Sequence, residues 1–287
     1  MSALPPLPPS VIEPVIRLAM QEDFGTAGDV TANLLIPAST NGHLFFKSRE
    51  NGVISGMQAA EMTYGLVDPS VEFKIHKGDG SAVKSGDIIA EVKGPVRSLL
   101  MAERIALNFL GRMSGIATLT AQYVALVKHT KARIAATRKT TPGLRALEKR
   151  AVLAGGGATH RQSLSDAIMV KDNHIALAGG VENALSNIMA NADHMVRVSV
   201  EVDTISQLEK VLPFHPHVVL LDNMGPEKLR SAVSLVSDFV GPKPTLEASG
   251  GINLNTVKAI AESGIDVISI GGLTHSAPNF DIGLDAD

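Results

Sequence analysis

The chain contains no cysteine. That absence removes disulfides, thiolate nucleophiles and cysteine-ligated zinc or iron–sulfur centres together, and leaves chemistry to His, Lys, Arg, Asp, Glu and the backbone. No apolar run approaches the roughly 18 residues that a membrane span requires, and the start, MSALPPLPPS, has neither a basic segment nor the apolar core of an export signal. A cytoplasmic protein is the expectation. Charge is scarce, at 19% against 45% hydrophobic residues, so there is enough apolar surface to bury for the chain to fold. Twenty-six basic and 29 acidic side chains leave a net charge of -3, which argues against a constitutive binder of nucleic acid or of a membrane surface. Any cationic site must be local. At 287 residues the length suggests about two domains.

What is present falls into two patterns. The Pro-rich first ten residues read as a tail, and Val11–Met20 has apolar residues at helical spacing. QEDFGTAGDVT, residues 21–31, interrupts that spacing and reads as a loop. Short alternating stretches at His43–Lys47, Val71–Ile75 and Ile88–Val92, separated by glycine-bearing turns, predict antiparallel strands. The turns of HKGDGSAVKSGDIIAEVKG are also those of half a lipoyl-type carrier domain, but Lys77 and Lys84 lack the flanking Met of a carrier lysine. From Leu99 to Val127 the apolar positions form two sets with Gly111 and Gly115 between them, which predicts two helices.

Beyond Lys128 the pattern changes. Apolar runs at Arg133–Thr137, Ile168–Val170, Val196–Val202, Val218–Leu221, Thr245–Ala248 and Val267–Ile270 alternate with stretches of helical period such as Ile205–Val211, Pro226–Val236 and Asn255–Glu262. Such βα repetition implies a parallel sheet with crossover helices, closed as a barrel or open and doubly wound. The barrel is preferred because no GxGxxG follows the first strand. The expected class is α/β: a smaller α+β N-terminal domain over 1–111, its tail at 1–10, and a C-terminal (β/α) barrel-like catalytic domain over 112–287, the last residues being candidates to return to the N-terminal domain.

The residues at the ends of the proposed strands are Arg138 and Lys139, Lys171, Glu201, Asp222, Ser249 with Gly250 and Gly251, and Gly271 with Gly272. In a barrel the carboxyl ends of the strands share one face, so these distant residues would converge. From Lys128 to Lys171 there are ten basic side chains and two acidic ones, Glu148 and Asp166. A segment so cationic in an acidic protein marks an anionic ligand, although Lys128, Lys131 and Arg150 read as solvated helix positions. Arginine offers a planar fork and lysine a compact charge, so the mixture suits a ligand with both carboxylate and phosphate. The glycine loops SGG at 249–251 and IGG at 270–272 suit a phosphate on backbone amides. Glu201 and Asp222 would be the carboxylates of this cationic mouth, suited to sugar hydroxyls or to a hard divalent cation, Mg²⁺.

The segments EDFGTAGDVT (22–31), ERIALNFLGRMSGIATLT (103–120), TRKTTPGLR (137–145), GGGATHR (155–161), KDNHI (171–175), VSVEVD (198–203), VVLLDNM (218–224), LEASGGI (246–252) and ISIGGLTHS (268–276) together resemble the quinolinate phosphoribosyltransferase family. The resemblance covers about residues 11–284, with one small departure at Thr159, where many relatives have Asn. It implies transfer of phosphoribose from phosphoribosyl pyrophosphate (PRPP) to quinolinate with decarboxylation, with Mg²⁺, on the route to NAD. It assigns Arg138, Lys139, His160, Arg161 and Lys171 to the quinolinate end. Glu201, Asp222, the Ser249–Gly251 loop and Gly271–Gly272 fall to PRPP and its metal, Thr137 and Ala248 to the substrate-binding set, and Lys139, Lys171, Glu201 and Asp222 to catalysis. Arg104 matches the arginine that reaches a neighbour's site, which implies a homodimer with shared active sites or a larger assembly of dimers.

Two other enzymes fit the same frame: a Schiff-base aldolase using Lys171, and a related phosphoribosyltransferase for a different acid. The first needs a lysine of lowered pKa, which a site crowded with anions opposes. The second is separated by specificity. A site built around the 2-carboxylate of quinolinate should reject nicotinate by a factor on the order of 10⁴ in kcat/KM, because the analogue leaves buried cations unpaired. Measured at saturating PRPP and Mg²⁺, a ratio near unity would overturn the substrate while leaving the phosphoribosyl chemistry standing.

Overall fold

The computed structural model describes residues 4–286. Its first half runs α1 (Pro9–Phe24), α2 (Val30–Leu35), β1 (Asn41–Ser48), β2 (Gly52–Val53), α3 (Met57–Val67), β3 (Glu72–Ile75), β4 (Ala82–Val83), β5 (Ile88–Pro95) and α4 (Val96–Val127). Strands and helices then alternate: β6 (Arg133–Ala135), α5 (Arg145–Ala154), β7 (Ile168–Val170), α6 (Asp172–Leu177), α7 (Val181–Asn191), β8 (Val198–Val202), α8 (Ile205–Val211) and β9 (Val218–Asp222). The chain ends with α9 (Pro226–Asp238), β10 (Thr245–Ser249), α10 (Val257–Ala261), β11 (Val267–Ser269), α11 (Gly272–His275) and β12 (Ile282–Ala286).

These elements form two compact units. The first takes the chain as far as Ala121, the segment Lys139–Gly156 and everything from Leu273; the second takes Gln122–Arg138 and Gly157–Gly272. In the first, an antiparallel sheet has the order β12-β1-β5-β3. The C-terminal strand therefore completes the N-terminal sheet, with Leu44 opposite Ala286 and Ser48 opposite Ile282. Alternation turns Phe46 inward, where its ring meets Tyr64 of α3 at 6.0 Å and Phe73 of β3 at 5.7 Å between centroids. Leu99, Ala102, Ala106 and Leu110, spaced along one face of α4, bury against the same cluster. Residues 4–8 precede the first helix; Gln58 holds Leu7 through both its backbone groups, accepting at 2.9 Å and donating at 2.7 Å.

The second unit is built on a six-stranded sheet in the order β6-β11-β10-β9-β8-β7, every recorded pair parallel. The last of these strands pairs with the first, β11 with β6, as in a sheet that curls round on itself. Among the described residues β6 and β7 make no ladder, and the outer side of β6 instead bridges Ala158 through Ala135. The strands read from the sequence are all present, and the chain order around the sheet brings their carboxyl ends to one edge.

Two expectations are corrected. The residues between Leu99 and Val127 form one helix of 32 residues, not two. Gly111 and Gly115 do not break it; they let another segment approach. A Cβ on Gly115 would overlap the Pro278 carbonyl, one on Gly111 would come within 3.0 Å of the Phe280 carbonyl, and Phe280 N donates to Gly111 O at 2.9 Å. The segment 21–31 is likewise mostly helical: α1 continues to Phe24, and Asp29 caps α2 by accepting from Ala32 N at 2.9 Å. Acidic residues on a solvent face end the apolar period without ending the helix.

The glycine argument is testable. Alanine at position 115 should gain helix propensity of about 0.5–1 kcal/mol but lose more to overpacking against backbone that cannot retract, about 1–3 kcal/mol. Gly115→Ala should therefore lower the urea midpoint, whereas an unchanged or raised midpoint would mean that the glycine is there for another reason.

Candidate functional site

The carboxyl edge of the six-stranded sheet carries the cationic segment identified in the sequence. Arg138 lies just beyond β6 and is half-buried, and its Nε is buried with no hydrogen-bond partner. Arg161 comes from the loop before β7. Asp166 folds that loop, accepting from Gln162 N at 2.6 Å, Ser163 N at 3.0 Å and Ser163 Oγ at 2.7 Å, while Arg161 Nη1 donates to the Ala167 carbonyl at 2.8 Å. Burial depresses the Arg161 pKa first and the nearby Arg138 guanidinium second, against an opposing pull from Asp166. A guanidinium whose charge is disfavoured by burial and by its neighbour, beside one with a buried Nε unused, makes surroundings suited to an anion.

On the far strands Lys171 and Glu201 meet directly, Nζ to Oε2 at 2.7 Å. Lys171 is the N-cap of α6, its backbone N–H donating to His174 Nδ1 at 3.0 Å, and Glu201 stands inside β8 rather than beyond it. The sequence reading set both as separate elements of the mouth; here the lysine neutralises the carboxylate. Asp222 ends β9 opposite Ser249, the last residue of β10. Asn223, in left-handed conformation at φ 53°, joins the two strand ends: its amide Nδ2 donates to Asp222 Oδ2 at 2.7 Å and its backbone N–H to Ser249 O at 2.9 Å. Gly250 is demanded by this join, since its φ is 92° and a Cβ there would collide with the Asn223 side chain. Gly272 is different. A Cβ on it would make only an ordinary contact, 3.9 Å from Ile270, so packing within the chain does not require glycine.

The remaining expected residues are distributed as follows. Thr137 is half-buried before Arg138, Gly271 is half-buried after β11, and Gly251 is exposed. Ala248 is 2% exposed inside β10, so its side chain faces the interior. Lys139 is exposed, and its carbonyl accepts from Thr274 Oγ1 at 2.6 Å. Arg104 is exposed on α4. Arg150 was read as a solvated helix position; it is instead nearly buried, pairing with Asp79 at 3.3 Å and donating to the carbonyls of Leu4 and Pro5.

Sequence reasoning missed Glu247. It is 4% exposed in the middle of β10, its Oε1 3.7 Å from His160 Nε2. Its only sequence signal was the LEASGGI segment, where a carboxylate interrupts an apolar strand. Burial raises its pKa, against a hydrogen bond from Ser269 that lowers it. Among the described residues no group of three or more His, Asp or Glu side chains could hold a metal ion. Glu201 and Asp222 therefore offer two hard oxygen donors and no cage, which fits an ion that keeps water and arrives with phosphate oxygens rather than one bound by protein alone.

Comparison with known proteins agrees over the whole chain. The family model of the quinolinate phosphoribosyl transferase C-terminal domain matches residues 116–285, and that of the N-terminal domain matches residues 29–114. A probable nicotinate-nucleotide pyrophosphorylase [carboxylating] from Synechocystis is 37% identical, over 99% of this chain and 95% of the relative. Quinolinate phosphoribosyltransferase [decarboxylating] 1b from Nicotiana tabacum is 39% identical, over 99% and 85%. The crystal structure of NadC from Streptococcus pyogenes superposes with a TM-score of 0.93 at 36% identity, covering 99% of this chain and 98% of that one.

The Glu247 carboxyl gives a pH signature. Its folded pKa lies above the unfolded value of about 4.5, so the folded state keeps a proton that the unfolded chain releases. Stability is then complete below that value and declines as pH rises through the folded pKa. Glu247→Gln removes the titration, and the melting temperature of the variant minus that of the wild type should rise from pH 4 toward pH 8. A difference independent of pH would place the carboxyl in a solvated setting.

Proposed function

This chain belongs to the quinolinate phosphoribosyltransferase family, and we propose from that premise how its residues divide the work. The enzyme transfers phosphoribose from PRPP to quinolinate and decarboxylates the product, giving nicotinate mononucleotide, pyrophosphate and CO₂ in NAD biosynthesis. The ring nitrogen of quinolinate gives its electron pair to the anomeric carbon, and the bond to pyrophosphate breaks with its electrons leaving on oxygen. The nitrogen is already a nucleophile and needs no base, so the protein contributes position and charge. Once the nitrogen is quaternary, the bond from C2 to its carboxylate breaks, CO₂ leaves, and the electrons held at C2 beside the cation take a proton.

Arg138 and Arg161 grip the two carboxylates, and His160 borders them. The observation that carries this is the buried, unpartnered Arg138 Nε beside a second guanidinium. Lys139 and Lys171 neutralise negative charge on the substrates, Lys171 exchanging some of its contact with Glu201 for the ligand. The glycine backbone at 249–251 and 271–272 receives phosphate. Glu201 and Asp222 hold the ribose hydroxyls and would hold Mg²⁺ brought by PRPP, which when bound supplies charge neutralisation to the departing pyrophosphate. Arg104, exposed on α4, serves the site of a second copy in a homodimer or an assembly of dimers. The cytoplasm is the compartment proposed; separately, no helix of the described residues is long and apolar enough to cross a membrane.

PRPP-dependent release of CO₂ from quinolinate tests the reading directly. Arg138→Ala should raise the KM for quinolinate by about 10²-fold, as loss of a charged fork from a carboxylate costs roughly 2–3 kcal/mol, and should change the KM for PRPP little. Equal losses for both substrates would remove Arg138 from the carboxylate role.

A further inference from the structure

One buried ion pair touches both of the loops that lead away from β6 and β11. Arg112 projects from α4 with its side chain 22% exposed, and Glu148 from α5 with its side chain fully buried. Arg112 donates to Glu148 Oε1 through Nε at 3.1 Å and Nη2 at 2.8 Å. The same guanidinium reaches the segment after β11, with Nη1 donating to the Ala277 carbonyl at 3.2 Å and Nη2 to the carbonyl of Thr274 in α11. Glu148 turns to the loop after β6, accepting from Thr141 N at 3.0 Å on Oε2 and from Thr141 Oγ1 at 2.8 Å on Oε1. The loops also join each other, Thr274 Oγ1 donating to the Lys139 carbonyl at 2.6 Å.

A buried ion pair is a poor source of stability, because apolar residues of the same volume do as well without the desolvation cost. Apolar residues cannot hold the backbone of two polar loops at a fixed separation. Four directed contacts from the pair to those two segments, beside the two that join Arg112 to Glu148, serve spacing rather than stability.

We propose that Arg112, acting through Glu148, is a positioning residue for phosphoribosyl transfer: it fixes the distance between the loop continuing from Arg138 and the loop continuing from Gly271–Gly272. The inference rests on the reading that the first loop holds quinolinate and the second PRPP. If the spacing changes, each loop keeps its own ligand contacts, so each substrate still binds. What is lost is the approach of the ring nitrogen to the anomeric carbon, and the loss appears in kcat.

The test uses Arg112→Lys and Glu148→Gln, with Arg150→Met as a control that breaks another largely buried pair in the same unit, Arg150 with Asp79. Lysine keeps the charge but not the fork that reaches Glu148, Thr274 and Ala277 together. Expected is a fall in kcat of about 10²-fold with both KM values within about threefold, and a double variant no worse than the more damaged single one. Arg150→Met should lower the melting temperature and leave kcat per folded molecule unchanged. If the Arg112 and Glu148 variants behave like Arg150→Met, the pair is structural and the proposal falls. It also falls if one KM rises while kcat is kept, since the pair then supports a single subsite. Failure of the underlying reading shows separately, as absence of quinolinate turnover in the unmutated enzyme, and removes the proposal with it.

Discussion

Arg138 and Arg161, two guanidinium groups near one another in a partly buried part of the second unit, are the constraint on which the proposed function depends. Like charges in a partly buried place raise the energy of the empty fold, and the cost is tolerable only if the surrounding loops prevent the side chains from swinging into water. The Asp166 turn does this for Arg161, and the strand end before Arg138 does it for the other. In the proposed function the cations are held in advance, so that binding need not first assemble them.

The carboxylates divide by environment. Glu148 is buried with an arginine and the Thr141 donors and acts on loops; Glu201 is paired with Lys171; Glu247 is buried without a full set of donors, and its pKa rises accordingly. Three chemically identical groups thus have three uses, set by what faces each of them. The sparse aromatic residues are used just as selectively, Phe46, Tyr64 and Phe73 closing the core of the first unit while the cationic loops carry none.

Most of the strand positions and the run of basic residues that the site reading uses could be read from the sequence because both depend on short-range pattern: apolar runs of strand length, and basic residues beside glycine, proline or a strand end. What could not be read depends on residues far apart in the chain. The single helix α4 needed Pro278 and Phe280 to explain Gly111 and Gly115, and although the return of the last residues to the N-terminal domain was anticipated, no local pattern says that β12 pairs with β1. Arg150 looked solvated because nothing local reveals Asp79. Glu247 and Arg112 were overlooked for the same reason, since a lone charge in an apolar segment gains meaning only from its partner.

If charge recognition by Arg138 and Arg161 is the central device, two carboxylates matter for binding and the ring nitrogen does not. Phthalate, which has the adjacent carboxylates of quinolinate and no nitrogen, separates these features from nicotinate, which has the nitrogen and one carboxylate. Thermal unfolding of the wild-type protein with each ligand at equal concentration makes the comparison, because a ligand bound only to the folded state stabilises it by about 2.7 kcal/mol at a hundred times its Kd. The account predicts that phthalate raises the melting temperature, less so as salt is added, and that nicotinate does not. A shift with nicotinate and none with phthalate would contradict it.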